Sequence, residues 1–196
     1  MTSNARRAGR ALALLLLAGG GVLAGDGLWL HAKAGLAQVL LERAWDRKAA
    51  GAATPRPWPW ADTSPVARLR VPRLAVDQVV LADASGRTLA FGPGHLPRSA
   101  PPGGPGHAVV GGHRDTHFSF LAALTPDEVI EIERPDGGVV RYRYEASEVV
   151  DSRVRGIVLA DEDLLTLVTC YPFDAIRADS PLRFVAHARR LDGDDS

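Results

Sequence analysis

Hydrophobic and polar residues alternate over short stretches in the C-terminal part of the chain, and a period of two is typical of strands with one buried face. Glycine, proline and aspartate separate these stretches, and Pro135-Asp136-Gly137-Gly138 is a strong hairpin turn. Strands are predicted at 66–71, 76–81, 107–111, 129–134, 139–144, 148–150, 164–170 and 182–187. About eight short strands with tight turns predict a mainly β domain, a single barrel or sandwich. Short helices are expected near 86–91, at 116–124 and near 159–163.

The N-terminal end has a different pattern. Residues 1–10 contain three arginines and no acidic residue, and residues 11–30 are largely apolar with one interruption at Asp26. About 20 residues span roughly 30 Å as a helix, enough to cross a bilayer core. Preceding arginines favour a cytoplasmic N-terminus. We therefore predict a transmembrane anchor at 11–30. A signal peptide cleaved near Gly25 is the alternative, and either reading places the remainder outside the cytoplasm.

The segment between the apolar stretch and the β domain is predicted to be a stalk. Residues 31–50 carry apolar side chains at helical spacing, and 51–60 alternates proline with other residues, which ends a helix. We assign 31–61 to a helical stalk and Pro-rich linker, 62–191 to the folded domain, and 192–196 to a tail.

Composition excludes several classes of protein. The chain is 46% hydrophobic and 23% charged, which is typical of a globular protein, and its formal net charge is zero. A nucleic-acid partner is not expected, because that would need a clustered basic excess. The single cysteine rules out an internal disulfide and a cysteine-based zinc cluster.

That cysteine, Cys170, ends an apolar strand and precedes Tyr171-Pro172, so its thiol lies where a sheet edge can expose it. His113 also follows a strand, after two glycines that allow a sharp turn and close approach. An imidazole beside a thiol favours the thiolate and can protonate a leaving amine. A buried structural thiol is the alternative reading of a lone cysteine.

Arg183 lies on the last predicted strand, and its guanidinium fork could stabilise an oxyanion. Arg177, in a predicted loop, is the rival for this position. His117 is the rival for His113 but falls in the predicted short helix. Asp115 could orient His113 or form a turn with its neighbours.

Three ordered motifs now resemble one family. Thr166-Leu167-Val168-Thr169-Cys170 resembles the sortase signature around the catalytic cysteine, and Gly112-His113-Arg114-Asp115-Thr116 resembles the segment that holds the sortase histidine. Arg183, thirteen positions after Cys170, matches the sortase arginine. The stretches HRDTHF and TLVTCYPF are similar to the class GN sortases of Gram-negative bacteria. His107 departs from that subgroup, which more often has asparagine there.

The resemblance implies an eight-stranded sortase-like β-barrel and a membrane-anchored cysteine transpeptidase. Cys170 would attack the Thr–Gly bond of an LPXTG-like signal, His113 would protonate the departing amine, and Arg183 would hold the substrate and the oxyanion. Thr169 would contribute a supporting hydroxyl for substrate binding. An amine acceptor, whose identity is open, would then release the thioester. No cofactor or metal is required.

The partner implied by the resemblance is a surface or secreted protein bearing a sorting signal, met on the periplasmic side of the inner membrane. Two alternatives remain: a peptidase of the same fold that only hydrolyses its thioester, and a tethered binding module without catalysis. A papain-like enzyme is disfavoured, because there the cysteine precedes the histidine.

Overall fold

The computed structural model describes residues 33–175 and 180–191, together with Leu16, Gly20 and Trp29. Within this part of the chain, eight strands form a closed barrel in the order β1-β2-β3-β4-β7-β8-β6-β5, with β5 paired to β1. Their bounds are β1 Pro65–Val71, β2 Val76–Leu81, β3 Gly94–His95, β4 Ala108–Gly111, β5 Val129–Glu133, β6 Val139–Asp151, β7 Leu164–Cys170 and β8 Leu182–Arg190. The barrel confirms the mainly β, eight-stranded prediction.

Two local predictions were wrong, and one strand was not predicted. The two residues of β3 were missed, because so short a strand has no periodicity to recognise. The stretch 148–150 is no separate strand but the end of β6, which a register shift between Tyr144 and Ala146 divides into two patterns. The helix expected near 159–163 is absent from this described segment, which is irregular. Short helical turns do occur at α2, Gly86–Leu89, and at the 3-10 segment Ser119–Ala123.

The core follows from alternation within the strands. In β1, buried positions alternate with half-exposed ones along its whole length. The inward positions of the barrel strands form one cluster with the side chains of Phe118, Phe120 and Leu121. Fully burying one such aliphatic or aromatic side chain contributes about 1.5–3 kcal/mol, so this cluster dominates the stability of the barrel.

The sheet formed by β4, β7, β8 and β6 has an outer face that positions the site. Leu165 and Leu167 belong to the core, so Thr166, Val168 and Cys170 face the other side of β7. Strands β4 and β7 run parallel, whereas β8 runs antiparallel to β7 and β6. The chain therefore leaves β4 and β7 at the same edge of the sheet.

Residues 33–49 are helical (α1), and the part from Leu40 belongs to the compact unit that holds the barrel. Leu41 and Trp45 are buried in a second cluster with Val79 and Leu81 of β2 and with Phe91. Trp58 of the Pro-rich segment packs edge-on against the Phe91 ring, with centroids 4.8 Å apart. The packing of this unit therefore extends N-terminally of residue 62, the predicted start of the folded domain.

The predicted anchor at 11–30 lies outside the described residues except for Leu16, Gly20 and Trp29, and residues 1–10 and 192–196 lie wholly outside them. Among the helices that are described, none combines the length and the apolar character needed to cross a membrane.

Candidate active site

Cys170 and Arg183 lie opposite each other on neighbouring strands. Cys170 is the last residue of β7, and the antiparallel register pairs it with Arg183 near the start of β8. Directly opposed residues in an antiparallel pair point to the same face, with Cβ atoms about 4.5–5.5 Å apart. Both residues are half-buried. The thiol and the guanidinium stem therefore share the outer face of the sheet at its edge.

His113 reaches the same edge from the other side of β7. Gly111, the last residue of β4, is aligned with Val168 in the parallel register. His113 lies two residues after Gly111, and Cys170 lies two residues after Val168. Because neighbouring strands lie about 4.8 Å apart, His113 and Cys170 are at adjacent backbone positions. His113 is exposed. The structure therefore places His113, Cys170 and Arg183 at neighbouring backbone positions, just after β4, at the end of β7 and near the start of β8, respectively.

Gly112 is held by β7 on both of its backbone polar groups. Its N–H donates to the Val168 carbonyl at 3.1 Å, and its carbonyl accepts a hydrogen bond of 2.8 Å from Oγ1 of Thr169. A Cβ at this position would lie 2.6 Å from the ring of Phe118, which is fully buried. Only glycine fits, and the clamp fixes the backbone immediately before His113.

Thr169 therefore has a definite contact. Its side chain is buried, and its hydroxyl links the strand that ends in Cys170 to the segment that carries His113. The predicted contribution of this hydroxyl to substrate binding stays a prediction.

The residues after His113 form a tight turn. The His113 carbonyl accepts a hydrogen bond from the Phe118 N–H at 2.9 Å, which closes the turn over the buried ring. His117 lies within it, and its carbonyl accepts from the side chain of Gln78. Burial, with a smaller contribution from His113, lowers the pKa of His117. His117 is thus half-buried in the turn, whereas its rival His113 is exposed at the sheet edge.

Arg114 was not singled out in the sequence, yet it is the most connected residue of the site. Its side chain is buried and donates to the carbonyls of Pro172 at 2.7 Å and Ala175 at 2.9 Å. Its Nε donates to the Asp115 carboxylate at 2.8 Å. Arg114 thus ties the histidine segment to the chain that follows Cys170.

The charges around Arg114 are coupled. The hydrogen bond to Asp115 raises the pKa of Arg114 against the opposing effect of burial, and the negative charge of ionised Cys170 adds a smaller increase. Asp115 has its pKa lowered first by Arg114 and least by His113. Asp115 thus binds the side chain of Arg114, and the two roles that the sequence left open for it, orienting His113 or forming a turn, stay predictions.

Aromatic rings also support the segment that follows Cys170. Phe173 and Phe184 pack edge-on with centroids 5.1 Å apart, and Tyr171 stacks on Phe184 at 6.4 Å. Phe173 and Phe184 also pack against the barrel core. The segment after Cys170 is therefore held by Arg114 and by this aromatic group.

The guanidinium of Arg183 is partly engaged. Its Nη1 donates to the carbonyls of Ser180 at 2.7 Å and Leu182 at 2.9 Å. Guanidinium has five N–H donors, and within the described chain these two contacts use Nη1 alone, so Nε and Nη2 can serve a bound group. The rival Arg177 lies outside the described residues.

A pocket continues along the outer face from Arg183. Val185 and His187 follow Arg183 on the same face of β8, and Glu148 and Val150 of β6 lie beside them. The segment Arg155, Gly156, Ile157 and Val158 completes the pocket, which has a volume of about 130 Å³. Two residues along a strand span about 7 Å. Val185, which lines the pocket, is therefore the nearest neighbour of Arg183 on the same face of β8.

No group of three or more His, Cys, Asp or Glu side chains placed to hold a metal ion occurs within residues 33–175 and 180–191.

Solved structures share this architecture. Sortase A from Corynebacterium diphtheriae matches with a TM-score of 0.58 and 24% identity, over 80% of this chain and 84% of that one. Sortase C-1 from Actinomyces oris matches with a TM-score of 0.55 and 28% identity, over 66% of this chain and 76% of that one. A sortase D5 transpeptidase from Clostridium perfringens matches at 0.56 and 19% identity, over 76% and 88%. No curated protein sequence matches.

The fold is a closed eight-stranded β-barrel, and cysteine, histidine and arginine lie at one edge of its sheet. The protein is therefore a β-barrel protein with a candidate thiol site. The sortase domain profile matches residues 69–191, most of the chain and all of the site. The chain therefore belongs to the sortase family.

Proposed function

We propose that this protein is a cysteine transpeptidase that cleaves a sorting signal through a thioester on Cys170. The observation that carries the proposal is the register of three strands, which sets Cys170 beside Arg183 on β8 and beside the segment of His113 that follows β4. Membership of the sortase family supports the same chemistry.

In the first half of the proposed reaction, the Cys170 thiolate attacks the carbonyl carbon of the scissile Thr–Gly bond. The oxyanion that forms accepts hydrogen bonds from the Arg183 guanidinium, whose charge opposes the developing negative charge. The C–N bond then breaks as protonated His113 donates its proton to the departing glycine amine. The product is a thioester of Cys170 with the threonine carbonyl.

In the second half, neutral His113 accepts a proton from the incoming amine as that amine attacks the thioester carbonyl. The C–S bond breaks, the Cys170 thiolate leaves, and a new amide forms. Arg114 and the two hydrogen bonds that hold Gly112 to β7 take no part in the bond-making and bond-breaking steps. They hold the two segments at the separation that proton transfer requires.

The pocket on the outer face supports an extended peptide substrate. Its nearest lining residue on β8 is Val185, two residues beyond Arg183, and valine and isoleucine side chains line it beside Glu148 and His187. Small apolar pockets with a few polar groups select side chains by size and polarity. An LPXTG-like signal fits this proposal, with the threonine at Cys170 and the preceding residues in the pocket.

The remaining parts of the proposal concern the setting. The apolar stretch 11–30, after three arginines, supports a single-pass anchor in the inner membrane with the barrel on the periplasmic side. The HRDTHF and TLVTCYPF stretches support a class GN sortase whose partner is a signal-bearing surface or secreted protein.

The full chain incubated with a panel of LPXTG-like peptides tests the proposal by intact mass. We expect an adduct of the peptide up to its threonine on the protein, and none on Cys170→Ala. Added amines should then convert the adduct into a ligated peptide. A thioester that only hydrolyses at every amine tried would leave a peptidase, and a folded protein whose Cys170 reacts with neither peptide nor small electrophile would refute both activities.

A further inference from the structure

The segment that closes the pocket is irregular, and contacts at both of its ends and between them attach it to the barrel. Arg155 at its start forms an ion pair with Glu148 of β6. Asp163 at its end accepts the Gly106 N–H at 2.6 Å and pairs with Arg190 at 3.3 Å. Between these ends, the N–H of Ala160 donates to Nδ1 of His107 at 3.0 Å. We call residues 156–160 the pocket wall.

His107 is also the first member of a hydrogen-bonded chain across the outer face. Its Nε2 lies 2.7 Å from Oγ1 of Thr166 on β7, and that hydroxyl lies 3.1 Å from Nδ1 of His187 on β8. Nε2 of His187 lies 3.5 Å from Glu148 on β6. These hydrogen bonds thus connect Ala160, at the C-terminal end of the pocket wall, to two residues that line the pocket, His187 and Glu148.

The first hydrogen bond determines which atom donates and which accepts in each of the others. A backbone N–H can only donate, so Nδ1 of His107 is unprotonated and accepts. A neutral ring then carries its proton on Nε2 and donates it to Thr166. The single hydroxyl proton of Thr166 can then be donated to Nδ1 of His187, whose Nε2 faces Glu148. Every polar atom of the buried His107 ring is therefore used, and only the neutral ring satisfies both ends.

We propose that neutral His107 is a positioning residue that holds the pocket wall against β4 and β7, so that the pocket beside Cys170 keeps its shape. The structural part stands on the contacts above, and its effect on catalysis rests on the proposed function. The residue acts through Ala160 and Thr166 and touches no reacting atom.

Protonation should release the wall. A proton on Nδ1 of His107 would place two donors, this N–H and the Ala160 N–H, opposite each other. Because His107 is only 5% exposed, water could not easily compensate the lost hydrogen bond. Burial, with a smaller contribution from His187, lowers the pKa of His107. Two other charged groups lie near His107. Glu148 on β6 forms an ion pair with Arg155, and Asp163 forms one with Arg190.

The sign of the pH effect follows. Because folding depresses the pKa of His107, its anchoring contribution is complete above the ordinary histidine value of about 6.5 and is lost as the pH falls through the lower folded value.

The first test uses the full chain and needs no substrate. We expect nitrogen shifts of His107 at pH 8 typical of a ring protonated at Nε2, and slow exchange of the Ala160 amide. Loss of one such hydrogen bond in His107→Ala should speed that exchange by about fivefold to tenfold. His95→Ala is the matched control, since His95 bonds Ala100 and Ser99 and touches nothing in the wall. Unchanged Ala160 exchange in His107→Ala, or a ring protonated at Nδ1, would overturn the proposal.

His107→Gln separates the hydrogen bonds from the titration, because an amide can accept from Ala160 and donate to Thr166 without titrating. We expect Ala160 protection, corrected for intrinsic exchange, to fall at a pH below the ordinary histidine pKa of about 6.5 in the natural chain and to stay constant in this variant. The same pH dependence in both would assign the effect to another group. In peptide turnover, His107→Ala should raise KM severalfold with kcat within about twofold, whereas an equal fall in kcat would contradict a positioning role. Absence of turnover in the natural chain would defeat the proposed function and leave the exchange result standing.

Discussion

Cys170 and Arg183 are cross-strand partners, so their separation is set by the hydrogen-bonded ladder between β7 and β8. A pair held in this way does not depend on a loop conformation, unlike His113, which lies two residues beyond its strand. The ladder continues past the pair, because the Tyr171 N–H donates to the Leu182 carbonyl at 3.0 Å. The proposed nucleophile and oxyanion donor are therefore on the most rigid part of the site.

This arrangement predicts the effect of removing the guanidinium. Arg183→Ala should lower kcat for peptide cleavage by about 10²–10³, the usual cost of losing one oxyanion donor. Arg183→Lys should recover only part of this loss, because an ammonium has no planar fork of donors. Steady-state cleavage of a fluorogenic signal peptide measures both variants.

Arg143→Ala is the matched control for Arg183. It lies on the neighbouring strand β6, pairs with Asp127 at 3.9 Å, and is half-exposed outside the residues that line the pocket. Turnover of this variant should stay near that of the natural chain. Near-normal turnover of Arg183→Ala would remove Arg183 from the proposed chemistry.

A second prediction concerns Arg114. Arg114→Gln should slow alkylation of Cys170 by iodoacetamide at pH 7, because it removes a positive charge that attracts the thiolate. It should also free the segment around Pro172 and Ala175, which loses two hydrogen bonds. Alkylation is followed by intact mass, and proteolysis reports the freed segment.

Arg87→Gln is the comparison for Arg114→Gln, since Arg87 is exposed and pairs with the exposed carboxylate of Asp62. It should alter neither readout. Equal alkylation rates for Arg114→Gln and the natural chain would show that the guanidinium does not influence the thiol.

Much of the fold could be predicted, because most strands combine alternation with turn residues at both ends. What escaped had no local pattern: β3 has two residues, and the end of β6 is out of phase with its beginning. Both are fixed by pairing with strands distant in sequence. Local pattern carries no record of such pairing.

The site shows the same division. Cys170 and His113 were found because each follows a strand and has reactive chemistry. Arg114 was overlooked because an arginine is exposed by default, and only the tertiary structure shows it buried against two carbonyls. The adjacent Asp115 was the one available signal, since a buried arginine needs a partner.

A third prediction follows from the close approach at Gly112. Gly112→Ala should destabilise the protein by about 1–3 kcal/mol, because its methyl group would overlap the buried Phe118 ring. The strain would also displace His113, so turnover should fall further than stability accounts for. Urea unfolding gives the free energy. Gly86→Ala, where a Cβ meets nothing within 4 Å, should be neutral or slightly stabilising.

The last prediction concerns the helix that precedes the barrel. Trp45 of α1 is 3% exposed and packs in the cluster of Leu41, Val79 and Leu81, whereas Trp60 is 79% exposed. Trp45→Ala should lower the free energy of unfolding by about 3–5 kcal/mol, the usual cost of truncating a buried aromatic side chain. Trp60→Ala should change it by less than about 0.5 kcal/mol.

Both tryptophan variants are compared by urea unfolding followed by circular dichroism. A large loss in Trp45→Ala means that the part of α1 from Leu40 is integral to the barrel unit, so that a fragment starting at Asp62 would expose Val79 and Leu81 and lose stability. Equal stability of Trp45→Ala and Trp60→Ala would instead mean that the helix contributes nothing to the barrel, and that residues 62–191 fold without it.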